Sequence, residues 1–208
     1  MPLPRHGFPV YLTRHGETVF NAQGRYQGAR DDSPLTIRGR QQAHDIALLL
    51  RDVISSETPP QFVSSPLGRA ITTTQIILRT LSLPEDGYTT DIRLREIDLG
   101  DWSGRVIETL KINDADNWHK REVDKWNIPV PGGESHADVA ARAADWFANL
   151  TGPTIAISHG RFGRILRGLY QGLDWQQISG LDEPYGTVFC FHDGDLTRIG
   201  SAPTGQMR

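Results

Sequence analysis

Two Arg-His-Gly triplets occur in the chain, and they stand in different sequence contexts. Arg14-His15-Gly16 follows a short apolar run at residues 8–13, whereas Arg5-His6-Gly7 lies in a Pro-rich terminus with no strand before it. A neutral imidazole nitrogen can attack phosphorus and form a phosphohistidine that water later hydrolyses. We therefore take His15 as the candidate nucleophile and predict no catalytic role for the earlier triplet.

Groups suited to holding a phosphate follow two further predicted strands. Arg69 lies just beyond the second strand, and His159 and Gly160 lie directly after a later one. The guanidinium forks of Arg14 and Arg69 match phosphate oxygens and stay charged at any working pH. His159 can donate a hydrogen bond to oxygens that gain charge in the transition state, and the backbone N–H of Gly160 can point at an anion. Because ligands of open α/β sheets bind at the carboxyl ends of the strands, we expect these groups to meet at His15.

The elements that must position these groups alternate between strand and helix. Predicted strands cover residues 8–13, 61–64, 89–92 and 154–158, with a hairpin of 187–192 and 196–199 across Asp193-Gly194-Asp195. Predicted helices cover 36–54, 66–81, 135–150 and 160–170, and residues 21–34 are predicted to form a loop. This alternation favours an α/β three-layer sandwich with a mainly parallel central sheet and helices on both faces.

Residues 103–131 differ from this pattern, because they are polar and end in Pro129-Val130-Pro131, with Gly132-Gly133 directly after. We predict a small, mostly helical cap inserted there into a single domain of residues 1–208. The tryptophans at 102, 118 and 126 could belong to the core or could wall a pocket for an organic leaving group. The arginines at 161, 164 and 167 predict a salt-bridged helix face, with a ligand-facing basic stripe as the less favoured alternative.

Composition excludes several classes of function. The formal net charge is −3, so the basic excess of a nucleic-acid-binding protein is missing and no nucleic acid is expected as a partner. No apolar run is long enough to cross a membrane, and the N-terminal residues lack the apolar segment of a signal peptide, so we expect a cytoplasmic protein. The histidines show no zinc-like spacing, and we predict no metal.

The residues around the second triplet resemble those of the histidine phosphatase superfamily, also called the phosphoglycerate mutase-like family. The matching blocks are Arg14-His15-Gly16-Glu17-Thr18, Asn21, Gly24-Arg25-Tyr26-Gln27-Gly28, Pro34-Leu35-Thr36, Gly39, Gln42-Ala43, Ser65-Pro66-Leu67-Gly68-Arg69-Ala70, Thr73, Leu94-Arg95-Glu96, Gly100-Asp101-Trp102-Ser103-Gly104, Pro131-Gly132-Gly133-Glu134-Ser135 and Ser158-His159-Gly160. They keep the family's order over nearly the whole chain, which makes a chance match improbable.

The resemblance implies that His15 is the phosphorylated histidine and that Arg14, Arg69 and His159 form the rest of the phosphate pocket. It implies a further phosphate contact from Asn21. It also places three residues in the loop at the pocket mouth, namely Arg25, Gln27 and Gly28.

Glu96 falls where the family keeps its proton donor. A carboxylic acid that protonates the leaving oxygen avoids the expulsion of an alkoxide, so this role is chemically sound. Asp98 and Asp101 are rival donors nearby, but only Glu96 occupies the matching position.

Three functions fit the resemblance. The first is a phosphatase acting on a small phosphorylated metabolite, with no cofactor. The second is a phosphoglycerate mutase that uses 2,3-bisphosphoglycerate as cofactor; its Tyr-Gly-x-Leu-x-Gly stretch is missing here, although Lys120-Arg121 could supply cap cations. The third is a non-catalytic protein that binds phosphorylated ligands, and the presence of His15, Glu96 and His159 disfavours it. We favour the phosphatase.

Overall fold

A computed structural model describes residues 3–54 and 58–200, so parts of the predicted domain, residues 1–2, 55–57 and 201–208, lie outside the described residues. Its strands are β1 (Val10–Arg14), β2 (Gln61–Ser64), β3 (Thr89–Thr90), β4 (Thr154–Ser158), β5 (Val188–His192) and β6 (Asp195–Ile199). They form one sheet in the order β3-β2-β4-β1-β5-β6. The first four strands of that order run parallel, and β5 and β6 pair in the antiparallel sense. The mainly parallel sheet is confirmed.

Helices cover both faces of this sheet. They are α1 (Val19–Ala22), α2 (Ile37–Ile54), α3 (Gly68–Thr80), α4 (Ile107–Asn113), α5 (Ala115–Val123), α6 (His136–Ala148), α7 (Gly160–Tyr170) and α8 (Trp175–Gly180). None of these described helices is both long and apolar enough to cross a lipid bilayer.

The central strand β4 shows how the sequence fixes these layers. Ile155 and Ile157 are fully buried in a cluster with residues of α2 and α3. Ala156, which points to the other face, is buried in the cluster that contains residues of α6 and α7. Successive side chains of a strand face opposite sides of a sheet, so a strand covered on both sides has an unbroken apolar run. The predicted three-layer sandwich is therefore confirmed.

Three local features differ from the expectation. The third strand is shorter than predicted because the Asp91 side chain accepts from Arg93 N at 2.9 Å and caps a 3-10 turn at Ile92–Leu94. Helix α3 begins two residues after its predicted start at Pro66. Helix α8 is not among the predicted helices, although Asp174 and Gln177 form the reciprocal hydrogen bonds of a capping box, which is readable in a sequence.

The region of the predicted cap contains α4 and α5, as expected for a mostly helical segment. Trp102 is only 1% exposed and stacks on Trp118 with 5.4 Å between ring centroids. Its indole N–H donates to Asp114 Oδ2 at 2.7 Å. Trp126 is partly buried against the same core cluster. The tryptophans therefore pack as core residues and do not wall the cavity described below.

Candidate active site

The carboxyl ends of three neighbouring parallel strands bring the predicted site together. His15 follows β1 and its backbone N–H donates to Ser158 O at 2.9 Å, while Ser65 follows β2 and donates to Ile157 O at 2.9 Å. His159 comes next after β4. The strand ladder thus sets these residues side by side at one edge of the sheet, where ligands of such folds bind.

The His15 ring is buried and held as one tautomer. Its Nδ1–H donates to the carbonyl of Gly16 at 2.7 Å, which leaves the lone pair on Nε2. Arg69 Nε donates to that Nε2 at 3.2 Å. Burial, followed by the charges of Arg69 and Arg14, lowers the pKa of His15 well below its ordinary value. The imidazole is therefore neutral and has an unprotonated nitrogen that faces a guanidinium.

Arg69 is 2% exposed, and every part of its guanidinium is anchored. Its Nη2 donates to Gly28 O at 2.6 Å, and its Nη1 donates to Asp31 O and to Asp32 Oδ1, both at 3.1 Å. Gly28 has a φ of +60°, and a Cβ there would lie 3.0 Å from Ile97 O, so a glycine fits this turn. The loop at the pocket mouth therefore also fixes the orientation of Arg69.

Arg14 is held by a segment that the sequence did not single out. Its Nη1 donates to Glu183 O at 2.6 Å, and its Cζ lies 3.9 Å from the ring centroid of Tyr185. Its buried Nε has no hydrogen-bond partner among the described residues. A Cβ on Gly160 would lie 3.1 Å from Arg14 Cζ and 2.4 Å from Glu183 Oε2. The absence of a side chain at Gly160 therefore makes room for this arrangement.

Replacing Gly160 with alanine should displace the Glu183 carboxylate and with it Arg14, and lower kcat/KM by roughly 10- to 100-fold, since small displacements of an anion-binding group are costly. Gly163→Ala on the same helix is the control, because its Cβ would meet only Leu12 Cδ2, at an ordinary 3.4 Å. That control should keep its activity and gain stability by up to about 1 kcal/mol in thermal unfolding. Equal activity of the two variants would contradict the role given to Gly160.

His159 is 1% exposed and stands beside His15, with 5.1 Å between their ring centroids. Its Nε2 lies 2.7 Å from Ser65 Oγ, and its buried Nδ1 has no partner among the described residues. Burial and then the charge of Arg69 lower the pKa of His159 well below its ordinary value. A hydrogen bond from the Ser65 hydroxyl to Nε2 places the proton of this neutral ring on Nδ1, which is buried beside His15.

Glu96 lies at the edge of a cavity of about 240 Å³ that also holds His15. Its carboxylate accepts from the backbone N–H groups of Arg161 at 3.2 Å and Phe162 at 3.3 Å, in the first turn of α7. Asp98 is instead paired with the guanidinium of an arginine at 2.8 Å and Asp101 is exposed, and neither lines this cavity. Of the three carboxylates, Glu96 alone faces the cavity.

The loop at the pocket mouth places Asn21, Arg25, Gln27 and Gly28 around the same cavity. Asn21 Oδ1 accepts from the backbone N–H of residue 18 at 3.1 Å, which leaves its amide N–H₂ for a ligand. Both ends of the Gln27 amide are hydrogen-bonded, because its oxygen accepts from Thr18 Oγ1 and its N–H₂ donates to Ser33 Oγ at 3.2 Å. Arg25 Nε donates to a backbone carbonyl at 2.8 Å. Gln27 thus orders the loop, whereas Asn21 and Arg25 retain donors.

The sequence did not indicate Glu183, Tyr185 or the cavity-lining position of Arg161. The expected salt-bridged face of α7 is present, because Arg161 pairs with Glu183 at 2.9 Å and Arg167 with Asp182 at 3.0 Å. The position of Glu183 and Tyr185 follows from the order and direction of the strands. Strand β5 runs antiparallel to β1, so the loop that precedes β5 must reach the carboxyl end of β1.

Among the described residues, no group of three or more His, Cys, Asp or Glu side chains is arranged to hold a metal ion. A neutral histidine between two arginines, at the carboxyl edge of the parallel sheet of an α/β protein, is instead suited to binding a phosphate. The sequence model of the histidine phosphatase superfamily (branch 1) matches residues 10–194. The chain belongs to this superfamily.

Individual relatives agree with this assignment. A probable phosphoglycerate mutase, GpmB, from Salmonella paratyphi C is 38% identical over 134 residues, which are 64% of this chain but 58% of that protein. A putative alpha-ribazole-5'-P phosphatase from Escherichia coli K-12 has the same fold, with a TM-score of 0.79, 24% identity and coverage of 96% of this chain and 99% of the other. A mycobacterial glucosyl-3-phosphoglycerate phosphatase is 27% identical with a TM-score of 0.72, covering 90% and 92% of the two chains.

Proposed function

We propose that the protein is a histidine-type phosphomonoester hydrolase that cleaves small phosphate monoesters through a phosphohistidine on His15. The observation that carries this proposal is the state of the His15 ring, which is neutral, has its lone pair on Nε2 and contacts Arg69 through that atom. A phosphoryl group that displaces the Arg69 contact at Nε2 would lie between the two guanidiniums of Arg14 and Arg69.

The reaction has two steps. In the first, the Nε2 lone pair forms a bond to phosphorus as the ester P–O bond breaks, and protonated Glu96 gives its proton to the leaving oxygen. In the second, water attacks the same phosphorus, the N–P bond breaks and the electron pair returns to Nε2. The Glu96 carboxylate takes a proton from the attacking water, which restores the acid and releases phosphate.

The surrounding groups stabilise the transferring phosphoryl group. Arg14 and Arg69 neutralise charge on its equatorial oxygens, and the unpaired Nδ1 of His159 is suited to donate to one of them. The amide of Asn21 and the N–H at the start of α7, at Gly160, are further donors. None of these roles requires a metal or a resident cofactor, and we propose neither.

The mutase alternative needs cap cations at the cavity, and the two candidates point elsewhere. Lys120 is exposed and Arg121 is 2% exposed beneath the cap, and neither lines the cavity. The name of the GpmB relative keeps the mutase as the second candidate. The phosphatase is favoured by the solved relatives that are named as phosphatases.

The test is phosphate release from para-nitrophenyl phosphate by the purified protein, with and without a chelator. We expect turnover in both conditions. Interconversion of phosphoglycerates that depends on 2,3-bisphosphoglycerate, with negligible phosphate release, would replace the phosphatase with the mutase. Absence of both activities, with phosphorylated compounds still binding, would favour a non-catalytic protein.

A further inference from the structure

Arg161 lines the cavity next to Glu96. It lies in the first turn of α7, its backbone N–H donates to Glu96 Oε2 at 3.2 Å, and its side chain lines the same cavity. Under the proposed function, Glu96 protonates the leaving oxygen. Its guanidinium interacts with Tyr26 of the loop at the pocket mouth and with the Arg121 guanidinium of the cap, so it faces the part of the cavity where a leaving group would lie.

The guanidinium of Arg161 is held from two sides. Its Nε donates to Glu183 Oε1 at 2.9 Å, and the hydroxyl of Tyr26, another cavity residue, is a second hydrogen-bond partner. Burial works against charge on this group, yet the Glu183 carboxylate and the Tyr26 hydroxyl hold its pKa above the ordinary value. An arginine fixed in this way retains terminal N–H groups for a ligand and loses little side-chain freedom on binding one.

Positive charge exceeds negative charge on this side of the cavity. Arg164 Nη1 lies 3.3 Å from the Glu183 oxygen that Arg161 contacts, and Arg14 also acts on this carboxylate. Burial raises the pKa of Glu183, but the three arginines outweigh it and hold that pKa below its ordinary value. Glu96 also acts on Arg161 and Arg164, so two carboxylates face three guanidiniums.

Arg121, which lies close to Arg161, adds a further positive charge. Arg121 makes no ion pair with any described carboxylate, and its neighbour Glu122 is paired with Lys125 at 2.8 Å. Burial and then Arg161 lower the pKa of Arg121 to about 10. Its Nη2 meets Nε2 of the fully buried His136 at 3.4 Å, and burial lowers the pKa of that ring to about 2, so it is neutral. Arg121 therefore adds positive charge near Arg161, and the ring that it contacts is neutral.

We propose that Arg161 is a specificity-determining residue that binds an anionic group on the leaving part of the substrate, with Glu183 as its positioning residue. The preferred substrates are then phosphate monoesters that carry a second acidic group, a carboxylate or a second phosphate, on the alcohol. This inference rests on the proposed function, because the leaving group is defined only by the position of Glu96 relative to His15.

The test compares three substrates with one three-carbon skeleton. Glycerol 3-phosphate has a neutral hydroxyl group at the far carbon, 3-phosphoglycerate has a carboxylate there, and glycerol 1,3-bisphosphate has a second phosphate. The wild-type protein should show a kcat/KM for at least one acidic substrate that is roughly tenfold or more above that for glycerol 3-phosphate, the size expected for one charge-assisted contact. The substrate that benefits identifies the acidic group.

Arg161→Gln should remove this preference, mostly through KM, and should lower turnover of the neutral substrate much less. Arg167→Gln is the matched control, because Arg167 lies on the same helix and pairs with the adjacent Asp182 at 3.0 Å, yet does not line the cavity. That control should retain the preference. The proposal is overturned if the wild type does not favour either acidic substrate or if Arg161→Gln keeps the preference. Failure of the proposed function would give a different result, because none of the three substrates would then release phosphate.

Discussion

Replacing His15 with alanine should lower kcat for phosphate release by roughly 10⁴-fold or more, because removal of a covalent nucleophile leaves only binding and charge stabilisation. The variant should still bind inorganic phosphate, since Arg14 keeps its contacts to Glu183 O and the Tyr185 ring. Steady-state phosphate release and isothermal titration with phosphate measure the two effects. Turnover at a level close to that of the wild type would show that another group attacks phosphorus.

The first triplet offers a matched control for this experiment. His6 Nε2 lies 2.8 Å from Phe147 O, and its ring stacks on Phe8 with 4.7 Å between centroids. These contacts are structural and remote from the cavity. His6→Ala should therefore reduce the free energy of unfolding by about 1 kcal/mol and leave kcat unchanged. A catalytic loss in this variant similar to that of His15→Ala would refute the distinction between the triplets.

Glu96→Gln should reduce kcat/KM for an alkyl phosphate by roughly 10²- to 10⁴-fold, the usual contribution of a positioned acid. The loss should be far smaller for the burst of nitrophenol from para-nitrophenyl phosphate, because nitrophenolate leaves without a proton. Steady-state turnover of that activated ester should still fall, since the second step needs Glu96 as a base. Stopped-flow measurement of the burst separates the two steps.

Asp98→Asn is the control for the donor assignment. Asp98 lies two residues away and its carboxylate is paired with Arg30 Nε at 2.8 Å outside the cavity. We expect this variant to retain the wild-type dependence on leaving group. If Glu96→Gln lost equal activity with alkyl and nitrophenyl esters in the first step, the proton donor would have to be another residue.

The residues that lie at strand ends were accessible from the sequence. His15, Ser65 and His159 each follow a short apolar strand, and a parallel sheet brings such positions to one edge without any knowledge of side-chain contacts. Arg69 lies one turn beyond its strand, so it could be placed on the same argument. The chemistry of these residue types then indicated phosphate.

The remaining features depend on tertiary contacts that no local pattern encodes. Glu183 and Tyr185 form a loop that contacts Arg14 only after an antiparallel strand has been added beside β1. Arg161 fits the periodicity of an exposed helix face, and only the position of α7 over the cavity gives it a second role. Gln27 lines the cavity, but its hydrogen bonds to Thr18 and Ser33 could not be read from the sequence.

The most direct test of a nucleophilic His15 is to trap the phosphorylated protein. The wild type is mixed with a radiolabelled phosphate ester, quenched in alkali within a turnover and digested with trypsin. Cleavage after Arg14 and Arg25 places His15 in a peptide with no other histidine. We predict an acid-labile, alkali-stable label on that peptide, and none in His15→Ala. Label on the His159 peptide, an acid-stable label, or turnover with no labelled protein would contradict the account.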